Sequence, residues 1–270
     1  MSFITNAGRG LLKKLKPFFK NPYGHLGWSW WTVRLLKNST SSERKSILFL
    51  SKKLTFRSSE ELMHMADDIF INEIYKQHFP ENTLILDCGS NIGLSVIYYK
   101  TLQPNARIIA FEPDAVNFEL LKQNVNSFGF KNVELHKAAV WHSEGTIHFQ
   151  SDNTMSSKIT EDATESIEIP TIALSDFMNE KVDFLKIDIE GAEFEVMKSI
   201  KEKLGSVKNM FVEYHGAFEE NHQLNEILSI ITNAGFHYYI KEADNAYPTP
   251  FQKIRRTGYD VQLNIFAFRP

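Results

Sequence analysis

The hydrophobic pattern of the chain changes near residue 83. Beyond this point, short apolar runs typical of buried strands alternate with longer segments whose apolar residues recur at helical spacing. Strands separated by helices predict parallel pairing in one sheet, with helices on both of its faces. The predicted strands span residues 83–88, 107–111, 133–140, 182–188, 209–214, 236–240 and 261–268.

Helical spacing covers four segments between these strands, namely residues 92–102, 114–128, 192–204 and 223–234. No helix separates the last two strands, which predicts a hairpin that adds one antiparallel strand to the sheet. We therefore expect an α/β fold with a doubly wound, mostly parallel sheet of seven strands and a C-terminal antiparallel hairpin.

A second, short hairpin is predicted at residues 141–150, and a polar stretch follows at residues 151–166. This stretch has few large apolar residues, so we expect a mobile loop. Ser156 and Ser157 would reach a bound ligand if that loop closes as a lid.

Residues 1–60 form a basic, aromatic extension that precedes the α/β domain predicted for residues 61–270. Residues 1–57 carry twelve Lys and Arg against one acid, Glu43, although the whole chain has a net charge of -3. Such an asymmetry indicates a separate element with its own partner.

Two hypotheses account for this extension. Residues 10–20 have the pattern of a short basic amphipathic helix, and Trp28, Trp30 and Trp31 follow. The aromatic residues either pack the extension onto the main domain or bring residues 1–31 to an anionic membrane surface or a glycan. Nucleic acid is not expected, because the rest of the chain is acidic and has no recognised nucleic-acid-binding motif.

The cysteine content and the hydrophobic pattern indicate the cellular compartment of the protein. The single cysteine, Cys88, excludes an internal disulfide and gives no sign of an oxidising compartment. No apolar run approaches the roughly 18 residues of a membrane-spanning helix. Lysines at positions 13, 14 and 16 interrupt the apolar segment that a signal peptide requires. We expect a cytoplasmic protein, with peripheral attachment to the inner face of the membrane as the alternative.

The most informative segment is LILDCGSNIG, residues 84–93, where a strand pattern ends in Asp87 and a turn with Gly89, Asn91 and Gly93 leads into a helix. Glycine allows backbone to approach a ligand closely, and a helix N-terminus offers unpaired N–H groups. Ligands of parallel sheets bind beyond the carboxyl ends of the strands. The segment therefore predicts a nucleotide-cofactor pocket.

Two more strand ends complete this predicted pocket. Glu112 follows the second strand, about 20 residues beyond the glycine turn, where a carboxylate accepts hydrogen bonds from ribose hydroxyls. Ala138 lies near the end of the third strand. Glu73, on a helical segment before the first strand, is a candidate to bind a cofactor ammonium group.

The glycine spacing separates the possible cofactors. Gly89 and Gly93 give G-x-x-x-G, whereas a pyrophosphate site requires G-x-G-x-x-G. Asp87 would also face an anionic phosphate unfavourably. S-adenosylmethionine has no phosphate and carries an ammonium and a sulfonium, so it fits the segment better than a nicotinamide dinucleotide.

The segments LILDCGSNIGLS, IIAFEPD, FLKIDIEGAEFEVM and FVEYHG occur in this order and resemble the FkbM-type S-adenosylmethionine-dependent methyltransferases. The resemblance covers roughly residues 84–240 and leaves residues 1–60 outside. It implies a Rossmann-like methyltransferase fold and transfer of a methyl group to an oxygen, often a hydroxyl of a sugar or a polyketide-type molecule.

Methyl transfer to a hydroxyl requires removal of a proton, and candidate groups lie at two strand ends. Asp188 and Glu190 follow the fourth strand, and Glu213 and His215 have the i, i+2 spacing that directs both to one side of a strand. In one hypothesis Asp188 or His215, with Glu190 nearby, acts as general base.

In the other hypothesis Asp188, Glu190, Glu213 and His215 bind Mg²⁺ or Mn²⁺, which lowers the pKa of the hydroxyl. We favour the base, because no compact metal motif is present. Glu193 is interpreted as a helix-face carboxylate that pairs with Lys198 or with solvent.

Two further functions compete with an O-methyltransferase that acts on a sugar, a glycan or another hydroxylated small molecule. One is a nicotinamide-dependent oxidoreductase on a similar sheet. The other is a cofactor-binding module without catalytic activity, against which the series Asp87, Glu112 and Asp188 argues.

Overall fold

The computed structural model describes residues 21–39, 43–150, 158–159, 167–243, 251–252 and 258–270. The helix predicted at residues 10–20 lies outside the described residues, as do Ser156 and Ser157. The chain divides into two compact units, Met1–Ile74 and Tyr75–Pro270. Among the described helices, none combines the length and the apolar character that a bilayer crossing requires.

The described part of the N-terminal unit contains two α-helices and an antiparallel hairpin, together with a 3₁₀ helix, Pro22–Leu26, and a π-helix, Asp67–Ile71. Its elements are α1 (Trp30–Lys37), β1 (Lys45–Phe49), β2 (Lys52–Phe56) and α2 (Ser59–Ala66). The side chain of Ser29 caps α1 by accepting a hydrogen bond from the Thr32 N–H. Sequence reasoning found no regular pattern here, because the two strands of the hairpin have only five residues each and are rich in lysine.

An aromatic core holds this unit together. The ring of Trp28 lies 5.4 Å from that of Phe49, which meets Phe70 edge to face at 4.9 Å. The indole N–H of Trp28 donates to the Leu48 carbonyl at 2.9 Å. Trp28 is therefore a core residue of its own unit, because both its ring and its donor are satisfied there.

The C-terminal unit is an α/β domain. Its strands are β3 (Leu84–Cys88), β4 (Arg107–Phe111), β5 (Val133–His136), β6 (Ala139–Trp141), β7 (Gly145–Gln150), β8 (Lys158–Ile159), β9 (Ile167–Ala173), β10 (Val182–Ile187), β11 (Val207–Gly216), β12 (His237–Glu242) and β13 (Val261–Phe268). Its helices are α3 (Leu94–Leu102), α4 (Ala115–Phe128), α5 (Glu193–Ile200) and α6 (Asn221–Asn233).

Seven of these strands form the main sheet, in the order β12-β13-β11-β10-β3-β4-β5. Strands β5, β4, β3, β10 and β11 are parallel, whereas β13 runs antiparallel to both of its neighbours. This confirms the predicted seven-stranded, mostly parallel fold and its C-terminal antiparallel hairpin.

One predicted strand is wrong. The run at residues 133–140 is two strands: β5 stays in the main sheet, and β6 enters a four-stranded sheet of order β6-β9-β7-β8. The apolar pattern continues across the break, so hydrophobicity alone cannot show that the chain changes sheets. Within the polar stretch predicted to be mobile, β8 pairs with β7; the rest of the stretch lies outside the described residues.

Side-chain hydrogen bonds and backbone conformation set the ends of the helices. Asp114 caps α4 by accepting from the N–H groups of Val116 and Asn117, and Gly129 ends this helix in the left-handed conformation. Helix α5 ends at Ile200, earlier than predicted, and continues as a 3₁₀ turn, Lys201–Ser206.

The two faces of the main sheet have different roles. Leu185 and Ile187 of β10 and Val212 of β11 belong to the apolar core that packs against α5 and α6. Because side chains alternate along a strand, Lys186, Glu213 and the residues in register with them lie on the opposite face. Polar groups therefore gather on one face, near the carboxyl ends of the central strands.

Candidate functional site

The glycine turn after β3 contains a buried carboxylate that is only half satisfied. Asp87 Oδ2 accepts a 2.6 Å hydrogen bond from Ser95 Oγ, whereas Oδ1 receives no hydrogen bond from any described residue. The nearest cation is Lys186, whose Nζ lies 3.6 Å from Oδ1. A buried anionic oxygen without a donor costs free energy, so this atom is suited to bind a positively charged or hydrogen-donating ligand group.

Lys186 joins the ends of β3 and β10. Its buried Nζ donates to the Gly89 carbonyl at 2.7 Å and lies 3.0 Å from Asp188 Oδ2. Burial lowers the pKa of Lys186, but Asp188, Tyr75 and Asp87 outweigh this effect and hold it well above its ordinary value. The side chain is thus a fixed positive charge between two carboxylates.

The turn itself requires its glycines. Gly89 has φ of 85°, and a Cβ there would lie 1.8 Å from the Asp188 carbonyl oxygen. Gly93 has φ of 92°, and its Cβ would lie 2.7 Å from Leu121 Cδ1. Asn91 between them is also left-handed, with φ of 48°. The backbone of this turn therefore passes close to the end of β10 and to α4.

Glu112 lies at the end of β4 beside this turn. Its two carboxylate oxygens accept from the N–H groups of Asn91, at 2.8 Å, and Asp114, at 2.9 Å. Burial raises the pKa of Glu112 to about 7, although both backbone donors act to lower it. Each oxygen keeps a further lone pair, so the group can also accept from ligand hydroxyls.

The structure brings most of the predicted cofactor residues together. One turn and the adjacent strand end contain five of them, namely Asp87, Gly89, Asn91, Gly93 and Glu112. Ala138 is buried between β5 and β6, where the His136 carbonyl accepts from the Glu112 N–H at 3.1 Å.

Glu73 belongs to the other compact unit, so its role stays a prediction.

Sequence reasoning missed Tyr75, which begins the C-terminal unit. Tyr75 is buried, packs edge to face on Phe211 at 5.0 Å, and interacts electrostatically with Lys186 and Asp188. Burial raises the pKa of its phenol well above the ordinary value. Its neighbours in the sequence, Ile74 and Lys76, gave no signal that Tyr75 would lie near these charges.

A second group of titratable side chains surrounds His215 at the end of β11. Nδ1 of this buried imidazole lies 3.0 Å from Glu193 Oε1. Nε2 lies 3.6 Å from Glu213 Oε1 and 3.7 Å from Glu190 Oε2. Burial lowers the pKa of His215, but Glu193 and the other carboxylates reverse the direction and raise it well above the ordinary value.

The interpretation of Glu193 as a surface carboxylate is wrong. Its side chain is buried and accepts hydrogen bonds from the N–H groups of Ile189 and Gly191 as well as contacting His215. Lys198 pairs with Glu195 instead. The reason is the left-handed backbone at Glu190 and Gly191, which folds the turn after β10 back over the first residue of α5.

Two carboxyl groups beside His215 have raised pKa values. Burial raises the pKa of Glu190 to about 8, with His215 opposing and Asp188, Glu193 and Glu213 adding to the shift. Burial likewise raises the pKa of Glu213. Negative charge is thus in excess, and these groups share protons rather than titrating independently.

Three of the predicted metal ligands meet the geometric requirement for a cation. Asp188, Glu213 and His215 each offer a ligand atom, and these atoms lie within 4.8 Å of one another. Glu190, the fourth predicted ligand, is not part of this group. Oxygen donors with one imidazole suit Mn²⁺ better than Mg²⁺, but the Lys186 ammonium, 3.0 Å from Asp188 Oδ2, competes with a metal for that carboxylate.

A central glycine turn and strand-end carboxylates on a sheet of this order define the Rossmann-like methyltransferase fold. The crystal structure of a methyltransferase FkbM from Methylobacillus flagellatus KT superimposes with a TM-score of 0.50 at 15% identity, covering 76% of this chain and 48% of that chain. The model of the methyltransferase FkbM domain family matches residues 87–238. The chain belongs to this family and is a methyltransferase.

Curated relatives carry the same activity in their names. Methyltransferase sdnD from Sordaria araneosa is 26% identical in an alignment of 243 residues, with coverages of 75% of this chain and 92% of the relative. Hexuronic acid methyltransferase AglP from Haloferax volcanii is 27% identical and covers 62% of this chain and 72% of the relative. 2-O-methyltransferase NoeI from Sinorhizobium fredii is 25% identical, with coverages of 48% and 63%.

Ionisation of Glu112 is expected to make the stability of the ligand-free protein pH-dependent. The pKa is about 7 in the folded protein, against an ordinary value of 4.5. Between these values the carboxyl group is neutral when folded and ionised when unfolded. Its contribution is therefore fully present below pH 4.5 and is lost as the pH rises through 7, a change of about 3 kcal/mol.

The variant Glu112→Gln isolates this effect, because glutamine does not titrate. In urea denaturation, the stability of the wild type relative to the variant should fall from pH 4.5 to 7 and then stay constant. Glu119→Gln, at an exposed position of α4, is the control for the substitution itself. A constant difference between wild type and Glu112→Gln would contradict the assigned pKa.

Proposed function

We propose that this protein is an S-adenosylmethionine-dependent O-methyltransferase that acts on a hydroxyl of a sugar, a glycan or another small molecule. The observation that carries the proposal is the pair of buried carboxylates, Asp87 and Glu112, on either side of a turn that holds Gly89 against neighbouring backbone. The family and the named activities of its relatives support it.

The residues fit this cofactor better than a dinucleotide. The unsatisfied Oδ1 of Asp87 suits the ammonium of a methionine group, and Glu112 can accept from two ribose hydroxyls. A pyrophosphate would be repelled by the negative charge of Asp87. The turn also lacks the third glycine that a pyrophosphate site requires. When bound, S-adenosylmethionine supplies an electrophilic methyl group, and the rest of the chemistry is removal of the acceptor proton.

His215 is the best candidate for the general base. Glu193 fixes the imidazole through Nδ1, which leaves Nε2 directed toward Glu190 and Glu213. A base must be neutral, whereas the carboxylates keep His215 protonated in the ligand-free protein. The proposal therefore requires that the positive charge of the bound cofactor lowers the pKa of His215.

A second candidate is a divalent cation bound by Asp188, Glu213 and His215. The compactness of this group favours it. A metal would lower the pKa of the acceptor hydroxyl without needing a neutral imidazole.

The cofactor assignment is tested by calorimetry with S-adenosylhomocysteine. Asp87→Asn should weaken binding by roughly 10- to 100-fold, because a charge-assisted contact to the ammonium is lost. Asp176→Asn, an exposed aspartate, is the matched control and should bind as the wild type does. Absence of binding by the wild type would contradict the assignment, and binding of NAD instead would favour an oxidoreductase.

The base and the metal make different predictions for methyl transfer. With a base, His215→Gln should lower kcat by at least about 100-fold while the affinity for S-adenosylhomocysteine stays unchanged, and EDTA should have no effect. Glu193→Gln should lower kcat less and displace the pH profile to lower pH, since its charge raises the pKa of His215.

His222→Gln serves as the control for these variants, because His222 is an exposed imidazole outside the cluster. Loss of activity in EDTA with recovery on adding Mn²⁺ or Mg²⁺ would contradict the base and support the metal. Full activity of His215→Gln would exclude both hypotheses.

The sheet face that bears His215 continues across β13 and β12 with residues that suit a saccharide. We call it the acceptor shelf: Gln262, Asn264 and Phe266 of β13 with Tyr239 and Lys241 of β12. In register, Asn264 lies between Glu213 and Lys241, and Phe266 lies between Phe211 and Tyr239. Residues directly opposite one another share a face of the sheet, so the shelf continues the face that bears Glu213 and His215.

The shelf offers both polar and aromatic contacts. Asn264 is buried, and its Oδ1 has no partner among the described residues. Tyr239 is 59% exposed beside Phe266. An amide oxygen that accepts from a hydroxyl, next to a ring on which a sugar can stack, suits a saccharide acceptor, as the named activities of AglP and NoeI also suggest.

Binding of methyl β-D-glucuronide, followed by NMR, tests the shelf. Tyr239→Ser and Asn264→Leu should each weaken binding by roughly 5- to 30-fold, while S-adenosylhomocysteine binding stays unchanged. Tyr238→Ser, at the exposed neighbouring position on the other face of β12, should have no effect. Equal loss in Tyr238→Ser and Tyr239→Ser would contradict the shelf.

A further inference from the structure

Helix α1 of the N-terminal unit exposes large apolar side chains. Trp31 is 74% exposed, Leu35 is 73% exposed and Trp30 is 55% exposed. The same helix buries Val33 and Leu36, so its inward face is already occupied within the protein. Two adjacent tryptophans therefore keep most of their surface in water, which costs free energy.

Basic side chains alternate with these apolar ones around the helix. At about 100° per residue, the exposed arc of α1 runs in the order Lys37, Trp30, Arg34, Trp31, Leu35. All five residues are exposed. Indole rings next to cationic side chains are typical of helices that lie in the interface of a membrane, where rings enter the headgroup region and cations meet anionic lipids.

The charge of the surrounding chain agrees with this interpretation. Residues 1–57 carry twelve Lys and Arg and one acid, although the whole chain is acidic. Leu48 of β1 in the same unit is also 66% exposed. A protein partner could bind equally well to apolar residues with neutral residues around them. A local excess of positive charge is instead complementary to an anionic surface.

We propose that the exposed arc of α1, formed by Trp30, Trp31, Arg34, Leu35 and Lys37, binds peripherally to membranes that contain anionic lipids. The tryptophans and Leu35 enter the headgroup region, and Arg34 and Lys37 contact lipid phosphates. The inference does not depend on the proposed methyl transfer, because it uses no residue of the C-terminal unit.

Vesicle co-sedimentation of the full chain tests the proposal. The wild type should bind vesicles of equimolar phosphatidylcholine and phosphatidylglycerol and bind phosphatidylcholine vesicles much more weakly. Trp30→Ser/Trp31→Ser should reduce the partition coefficient by roughly tenfold or more, because apolar burial is lost. Arg34→Glu/Lys37→Glu should reduce it by more than about fivefold per residue, since each basic residue near the surface contributes that factor.

Phe218→Ser removes an exposed aromatic residue of the C-terminal unit and should leave vesicle binding unchanged. Thermal unfolding reports whether each variant folds, so a failed α1 variant is not mistaken for a misfolded one.

Several outcomes would overturn the proposal. They are failure of the wild type to bind anionic vesicles, equal binding by the tryptophan variant, and equal binding to neutral and anionic vesicles. A dimer in sedimentation equilibrium that is lost in Trp30→Ser/Trp31→Ser, without vesicle binding, would assign the surface to a second copy of the chain instead.

Discussion

Two aspartates, Asp87 and Asp188, lie at the ends of the neighbouring strands β3 and β10. Their negative charges repel each other unless a cation lies between them. Lys186 supplies that cation. Its ammonium lies 3.0 Å from Asp188 and 3.6 Å from Asp87, and it also donates to the Gly89 carbonyl. Removing one partner of a buried ion pair leaves an uncompensated charge, which is far more destabilising than the pair is stabilising. The geometry of the glycine turn therefore depends on this side chain.

The same contact explains why the turn and the second cluster are close together. Gly89 approaches the Asp188 carbonyl so closely that no side chain fits between them, and Lys186 connects the turn to that carboxylate. The candidate cofactor residues after β3 and the titratable groups around His215 therefore both border the end of β10.

The fold could be predicted from sequence further than the site could. Short apolar runs that alternate with helical spacing predicted the seven-stranded sheet and its final hairpin. The break between β5 and β6 was missed, because apolar residues occur on both sides of it and hydrophobicity does not show which sheet a strand joins. The hairpin of the N-terminal unit was missed, because lysines and exposed positions interrupt the apolar residues of its strands.

The prediction of the site residues from the sequence was limited in the same way. Residues at strand ends, such as Asp87, Glu112 and His215, could be identified because topology alone brings strand ends together. Glu193 and Tyr75 could not. The position of Glu193 depends on left-handed backbone at Glu190 and Gly191, and that of Tyr75 on packing against Phe211. Neither conformation is visible in the spacing of residue types.

Glu193 has two functions that cannot be separated. The same carboxylate accepts from the N–H groups of the turn after β10 and from His215, so the fold of the turn and the orientation of the imidazole depend on each other. Burial, with neighbouring carboxylates adding to it, raises the pKa values of Glu190 and Glu213, whereas for His215, Glu193 and the other carboxylates outweigh burial and raise the pKa. In the proposed function, positive charge bound near these groups would lower the pKa of His215 and favour the neutral imidazole that a general base requires.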